Sequence, residues 1–462
     1  MVAAPRLLRG AFANQPKRPN ILLLVTDDQR AESLGCSGNS VIQTPSIDHL
    51  AQRGVRFVNS FATTAICMSS RASLLTGMYT RVHGVDDFKK ALPPRLLDQS
   101  YPHLLHQSGY RTGFIGKWGV DAGAMPLGDY DFFRGYQGQG RYFAPGEKKH
   151  LTVIQTEQAI EFLQGCTHEQ PFCLAMSFKA SHVQDEGRYL PGIYAKYPYD
   201  LALSDYYKND VVPAVKTRDS APWPAMFDRC MNRTREGPDF SAANYQETMK
   251  SLYRLLTGVD LAVGRIVEQL NQLGFAENTV ILFTSDHGSF YGEHGFGGKW
   301  LMHEESIRTP MILCDPRLPA ARRGTVAEQM VLNLDVPETV LDLAGIQPPT
   351  GMQGRSLLPL ARGEKPAWRS EWFYEHHFRN ARTEPILASE GIRTQRWKYI
   401  RYIDSEPAYE QLFDLQNDPR EQTNLAGELS GRDRLADLRS RWVVWRKSLE
   451  KYSPARDWVD PA

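Results

Sequence analysis

Along this chain, continuous apolar runs of strand length alternate with segments of helical period, and the runs stop abruptly in charged residues. Asn20-Ile-Leu-Leu-Leu-Val25 is unbroken after its first residue, the pattern of a parallel strand covered on both faces. It ends in Asp27-Asp28. Thr279-Val-Ile-Leu-Phe-Thr-Ser285 repeats the pattern and ends in Asp286-His287. Helices are predicted between them. Thr44 reads as an N-cap with Pro45 at the first helical position, Ile47, Leu50 and Ala51 on one face, and Gly54 as the stop before a strand over Val55 to Val58. Leu252, Leu256, Val259, Val263, Ile266, Leu270 and Leu273 step by four and three in turn. They form one face of a long amphipathic helix that Gly274 closes.

This alternation predicts an α/β fold with a large mixed, mostly parallel sheet sandwiched by helices. The Pro/Gly-rich Ile346-Gln-Pro-Pro-Thr-Gly351 suits a domain junction. Beyond it come short strands at Arg396 to Tyr402 and Gln411 to Leu415, a turn at Asn417-Asp-Pro419, and a closing helix from Arg432 to Leu449. The expected organisation is an N-terminal tail (1–18), a large domain (19–345) and a smaller C-terminal α+β domain with an antiparallel sheet (346–462).

Composition then narrows the function. With 462 residues, 42% hydrophobic and 23% charged, the chain has globular composition. Lys+Arg 54 against Asp+Glu 53 leaves a formal charge of +1, so no global basic field collects nucleic acid or anionic lipid. An anionic ligand must be gripped locally. No apolar run approaches the ~20 residues of a membrane helix, and membrane insertion is not expected. The six cysteines form no CxxC pair and no zinc-finger spacing. The first 18 residues carry Arg6, Arg9, Lys17 and Arg18 without an apolar core, so as written they are no signal peptide. Asn232-Arg-Thr is a glycosylation-type triplet suited to a surface loop.

The acids at the two strand ends fall where open α/β sheets bind ligands. Asp27, Asp28 and Asp286 stay ionised at close range only around a cation, and such oxygen donors suit Ca²⁺ or Mg²⁺, with His287 as a nitrogen donor or outer partner. In Cys67-Met-Ser-Ser-Arg71-Ala-Ser-Leu-Leu-Thr-Gly77 a cysteine precedes good helix formers. It would sit at a helix N-terminus, where unpaired N–H groups favour an anion and Arg71 adds a planar fork of donors.

The Cys67 segment resembles the activation motif of the type I sulfatases, in the alkaline phosphatase superfamily. The likeness extends over Pro19 to Gln29, Gly116-Lys-Trp118, Ser177 to His182, Thr284 to Gly288 with Lys299, and Leu412-Phe-Asp-Leu415. It implies oxidation of Cys67 to formylglycine by a maturation enzyme, with Asp27, Asp28, Asp286 and His287 around one Ca²⁺, Mg²⁺ being second choice. It further implies sulfate held by Arg71, Lys117 and Lys299, and His182 as the acid that protonates the leaving alcohol. A periplasmic or secreted location follows from the same resemblance. Two positions depart from the family pattern: Ser69 stands where proline is usual, and Gly119 where a histidine helps release sulfate, His294 and His303 being nearby in sequence. The implied substrate is a sulfated saccharide, with His376, His377 and Arg393 of the second domain as candidate sugar-binding residues. Phosphonate or phosphate ester hydrolysis, and a non-catalytic glycan-binding role, are the alternatives.

Overall fold

The computed structural model describes residues 18–120, 122–185, 192–217, 240–378, 386–403 and 405–452. Its main sheet has eight strands: β1 (Asn20–Thr26), β2 (Val55–Phe57), β3 (Arg111–Lys117), β4 (Phe132–Tyr136), β5 (Phe172–Ser177), β6 (Thr279–Ser285), β7 (Met311–Cys314) and β8 (Thr325–Ala327). Their spatial order is β8-β2-β7-β6-β1-β5-β3-β4. Only β7 runs antiparallel to its neighbours, and every other pairing is parallel. The mixed, mostly parallel α/β sheet expected from the apolar runs is therefore the one observed.

The absence of polar alternation in β1 has a direct cause. Ile21, Leu23 and Val25 enter one apolar core while Leu22 and Leu24 enter a second on the other face. β6 divides likewise, Val280 and Leu282 against Ile281 and Phe283. Each buried aliphatic chain contributes about 1.5–3 kcal/mol, so these two strands anchor the sheet and fix where its C-terminal edge lies.

The larger helices are α1 (Pro45–Arg53), α2 (Cys67–Thr76), α3 (Leu151–Gln164), α4 (Tyr245–Gln272), α5 (Asp335–Ala344) and α6 (Arg432–Tyr452). α1 starts and stops as predicted, but Thr44 does not cap it with its side chain. Its hydroxyl instead accepts from the Gly35 N–H, and the Asp260 carboxylate on α4 accepts from the N–H groups of Ser46 and Ile47. The long amphipathic stripe runs along α4 from Leu252 to Leu270, with Leu273 at its C-cap, and the helix begins seven residues earlier, at Tyr245.

C-terminal to the main sheet, and before α6, β9 (Glu371–His376), β10 (Ser389–Thr394), β11 (Trp397–Tyr402) and β12 (Tyr409–Asp414) form an antiparallel sheet in sequential order. Trp372, Tyr374, Ile392 and Phe413 of this sheet share one continuous apolar core with the main sheet. Asn232, Arg379 and residues 1–17 lie outside the described residues. No described helix is long and apolar enough to cross a membrane.

Candidate active site

Four adjacent parallel strands, β6-β1-β5-β3, bring the site together at one sheet edge. The register pairs Thr26 with Ser285, Val25 with Ser177, and Gly116 with Ser177. The next residues out are therefore Asp27-Asp28, Asp286-His287, the Phe178–His182 turn, and Lys117. Backbone bonds between Asp27 and Ala180 (3.0 Å) and between Ser181 and Asp27 (2.7 Å) tie that turn to the acids. Asp28 adopts a left-handed conformation (φ 62°), uncommon for a non-glycine residue. It aims its carboxylate toward Lys299.

α2 meets this edge N-terminus first. Its first residue, Cys67, places Sγ 3.6 Å from Asp27 Oδ1, 3.5 Å from His287 Nε2 and 3.4 Å from Lys299 Nζ. One turn on, buried Arg71 spends its fork on several partners. Nε donates to Asp286 Oδ2 (2.9 Å), Nη2 to Asp27 Oδ2 (3.1 Å), and Nη1 to the Lys117 carbonyl (3.0 Å) and Ser177 Oγ. Lys117 Nζ lies 2.6 Å from Asp27 Oδ2, and Lys299 Nζ 2.5 Å from Asp28 Oδ1. His182 turns Nε2 toward Asp28 Oδ2 at 3.8 Å, and its Nδ1 is 2.7 Å from the Val183 carbonyl, to which it donates.

Electrostatics follows from this crowding. Burial alone would raise Asp27, but Lys117, His182, Arg71 and Lys299 outweigh it and hold the carboxyl well below its ordinary value. Burial pushes Asp28 up in spite of Lys299, and Asp27 and Asp286 push in the same direction. For His287, burial opposes charge while Asp286 favours it, and the imidazole is pushed up to about 9. Burial, then Lys299, lowers His182 well below the ordinary imidazole value.

Asp27, Asp28, His287 and Cys67 offer ligand atoms that all lie within 4.8 Å of one another. Two carboxylates and an imidazole around one point, with a third carboxylate raising the local negative charge, fit a divalent cation. Asp286 stands beside this group. Its Oδ2 is committed to Arg71, and its Oδ1 accepts from the N–H groups of Asp28 and His287 and sits 3.7 Å from His287 Nε2.

The second-domain candidates divide. His376 ends β9 fully buried, both ring nitrogens without a partner among the described residues, and burial, with His377 and then His287 adding to it, lowers its pKa to about 3. His377 Nε2 contacts Glu390 Oε1 at 2.9 Å. Arg393 does not share this setting: its guanidinium pairs with Glu304 (3.3 and 3.4 Å) and lies over the Phe61 ring. His294 and His303 lie with ring centres 5.1 Å apart, tilted to each other, beside Phe290, with Glu305 and Phe413 for neighbours, a cluster of their own.

Gly119 explains its own departure. It holds φ +77°, and a Cβ there would stand 2.1 Å from Arg71 Cδ. No histidine fits unless Arg71 moves. Sequence reasoning missed Gln139, whose Oε1 accepts from Lys117 Nζ at 2.6 Å. It also missed Asn333, which donates to Ser70 on α2 (2.9 Å). Neither stands in a motif that announces the contact.

Comparisons with known proteins agree with the geometry. The family model described as Sulfatase matches residues 19–346, and the one described as N-sulphoglucosamine sulphohydrolase, C-terminal, matches 292–447. An N-acetylglucosamine-6-O-sulfatase of Bacteroides thetaiotaomicron is 30% identical over 90% of this chain and 84% of its own length. An arylsulfatase of Clostridium perfringens is 28% identical, covering 91% and 93%. A solved structure described as a complex with its substrate D-glucosamine-2-N,6-O-disulfate superposes with a TM-score of 0.79 at 27% identity, covering 95% of this chain and 99% of that one. A phosphonate monoester hydrolase of Agrobacterium radiobacter shares the fold (TM-score 0.74, 22% identity, 94% and 96% coverage).

Proposed function

The chain belongs to the sulfatase family and is a sulfuric ester hydrolase, and on that premise we propose that it removes sulfate from a sulfated carbohydrate, a 6-O-sulfated glucosamine being the first candidate. The observation that carries the mechanism is the convergence of Asp27, His287 and Lys299 on Cys67 Sγ. The sugar is argued from the two relatives whose names carry a glucosamine sulfate.

The family implies a formylglycine and a divalent cation. At position 67 the formylglycine, once hydrated, supplies a hydroxyl nucleophile and a second hydroxyl that lets sulfate leave. The proposed maturation partner is an enzyme that oxidises Cys67. When bound by Asp27, Asp28, Asp286 and His287, the cation supplies Lewis acidity toward sulfate and lowers the pKa of the attacking hydroxyl. Hard oxygen donors suit calcium or magnesium, and calcium is proposed first on the family resemblance, magnesium second.

The chain's own residues do the rest. Lys117, Lys299 and Arg71 bring three positive charges to the pocket wall and stabilise charge that builds on sulfate oxygens in the transition state. His182 donates from Nδ1 to a backbone carbonyl, so Nε2 is the atom left to face the ester. The charges of Lys299 and Lys117 help keep it neutral. A sulfate seated between those lysines offsets them, raising the proton affinity of Nε2 where the leaving alcohol needs a proton. Beyond the sulfate, His376 and His377 are the proposed sugar contacts.

The test is a desulfation screen on protein shown by mass to carry the aldehyde. It covers glucosamine 6-sulfate and its N-acetyl and N-sulfo forms, other sulfated monosaccharides, an aryl sulfate and an aryl phosphonate monoester. Turnover favouring a glucosamine 6-sulfate supports the proposal. Preference for the phosphonate ester, or activity on the aryl sulfate alone, overturns it.

A further inference from the structure

The His182 turn contains a buried lysine that the reaction described so far does not use. Lys179 is 1% exposed, an unusual place for a lysine, and among the described residues no carboxylate forms an ion pair with it. Its Nζ donates to the Val183 carbonyl at 3.1 Å and lies 5.1 Å from the centre of the Tyr142 ring, a cation–π arrangement. The same carbonyl accepts from His182 Nδ1 at 2.7 Å. One oxygen therefore holds both side chains.

The surrounding bonds fix that oxygen. The His182 N–H donates to the Lys179 carbonyl (2.9 Å), and the Tyr142 hydroxyl donates to the His182 carbonyl (2.7 Å). The Tyr142 N–H donates to Gln184 Oε1 (3.0 Å), closing the turn from the other side. A tautomer is set by the partner of the opposite ring nitrogen, so whatever fixes the Val183 carbonyl fixes which nitrogen of His182 faces the ester. Burial, with Lys117 second, lowers Lys179 only to about 8, and at neutral pH it keeps the protons it donates.

We propose that Lys179 is a positioning residue for His182: by binding the Val183 carbonyl that accepts from His182 Nδ1, it holds the imidazole with Nε2 toward the leaving oxygen. The proposal rests on the reading of His182 as the leaving-group acid. An acid matters for a saccharide alkoxide, which is a poor leaving group, and hardly at all for 4-nitrophenolate, which leaves unassisted.

The experiment compares wild type, Lys179→Met, Lys179→Arg, His182→Ala and the Lys179→Met/His182→Ala pair. All are normalised to aldehyde content at residue 67 and checked by thermal melting. On a sulfated saccharide, kcat is expected to fall about a hundredfold for His182→Ala and about tenfold for Lys179→Met. On 4-nitrophenyl sulfate Lys179→Met should stay within about threefold of wild type, and His182→Ala should lose less than it does on the saccharide. Lys179→Arg, which keeps a charged donor, should recover most of the loss, and the pair should be no worse than His182→Ala alone. The positioning is read directly from ¹⁵N spectra of histidine-labelled protein, the His182 signal being the one missing in His182→Ala. Wild type should show the Nδ1–H tautomer, and Lys179→Met a mixture. An unchanged His182 spectrum in Lys179→Met, equal losses on the two esters, or additive losses in the pair would overturn the proposal. Equal losses for His182→Ala on the two esters would overturn the reading of His182 as the acid, while the spectrum decides the positioning on its own.

Discussion

Gly119→Ala offers a stringent test of the site, because the structure separates its two costs. The first is conformational: at φ +77° an alanine pays about 1–2 kcal/mol for a left-handed backbone. The second is steric. The new Cβ would stand 2.1 Å from Arg71 Cδ and 2.9 Å from its Nε, so Arg71 must retreat by more than about 1 Å to regain an ordinary carbon contact of ~3.5 Å. Such overpacking costs about 1–3 kcal/mol. The retreating side chain is the one that binds Asp27 and Asp286, so the damage reaches the reacting groups. We expect a stability loss of about 2–5 kcal/mol by denaturant titration, and a fall in kcat/KM on an aryl sulfate of about a hundredfold or more. Gly84→Ala is the control: its φ is +79° with nothing within 4 Å of the added Cβ, so it carries the backbone cost alone. Gly119→His should behave like Gly119→Ala or worse, and putting back the family's usual histidine should not rescue turnover. A Gly119→Ala enzyme within twofold of wild type, and no less stable than Gly84→Ala, would refute the placement of Arg71.

Cys67→Ala should abolish turnover while leaving the fold intact, and intact mass should show activity tracking the fraction of residue 67 converted to the aldehyde; full turnover by Cys67→Ala would remove the mechanism. Chelation should abolish activity and lower the melting temperature, because an ion held only by the folded state stabilises it; calcium should restore both better than magnesium, and unchanged activity after exhaustive chelation would exclude the metal. Arg393→Ala should destabilise the protein by about 1–3 kcal/mol, since Glu304 loses one of its charged partners but keeps Lys398 at 2.9 Å, with similar losses on aryl and saccharide esters. His377→Ala, at the edge of the pocket wall, should cost about ten- to a hundredfold on the saccharide and little on the aryl ester; equal losses would show that His377 serves the fold.

Asp27, Asp28, Asp286 and His287 stood out because they follow buried strands, and Cys67 with Arg71 because they open a helix, elements that announce themselves in composition; Lys117, Lys299 and His182 were named only by the family resemblance. β1 and β6 read as apolar runs since both faces are covered, and their next residues had to emerge at one edge. Contacts made by side chains from irregular loops left no such trace. Gln139 reaches Lys117 from the segment after β4, and Lys179 shares a carbonyl with His182 inside a tight turn. Arg393 has a partner the sequence did not announce. It sits in β10 among residues resembling a sugar-binding segment, yet Glu304, from the helical turn beyond Lys299, neutralises it. A partner so distant in sequence leaves no periodic signature. The helix start at Thr44 was legible, but its cap was not, because Asp260 supplies it from α4.

The wall proposed to read the sugar is tied mechanically to the helix that carries the nucleophile. Arg81, five residues after α2, donates to Glu375 from its backbone N–H (2.7 Å) and from Nε (3.0 Å), and Nη2 reaches Glu390 Oε1 at 2.5 Å. Glu390 in turn holds His377, while Arg446 of α6 approaches its other oxygen at 3.4 Å. Glu375 immediately precedes His376, and its N–H donates to the Thr63 carbonyl just upstream of Cys67. Both carboxylates are buried, so removing Arg81 would leave Glu375 without its charged partner and Glu390 with only His377 and Arg446, a cost of several kcal/mol. These residues are thereby committed to holding register between β9 and α2, and they have no freedom left to follow a change of substrate. His376 and His377 carry no such commitment to α2. Adaptation to a different sugar is therefore expected at positions 376 and 377, with Arg81, Glu375 and Glu390 kept as the joint that places them against residue 67.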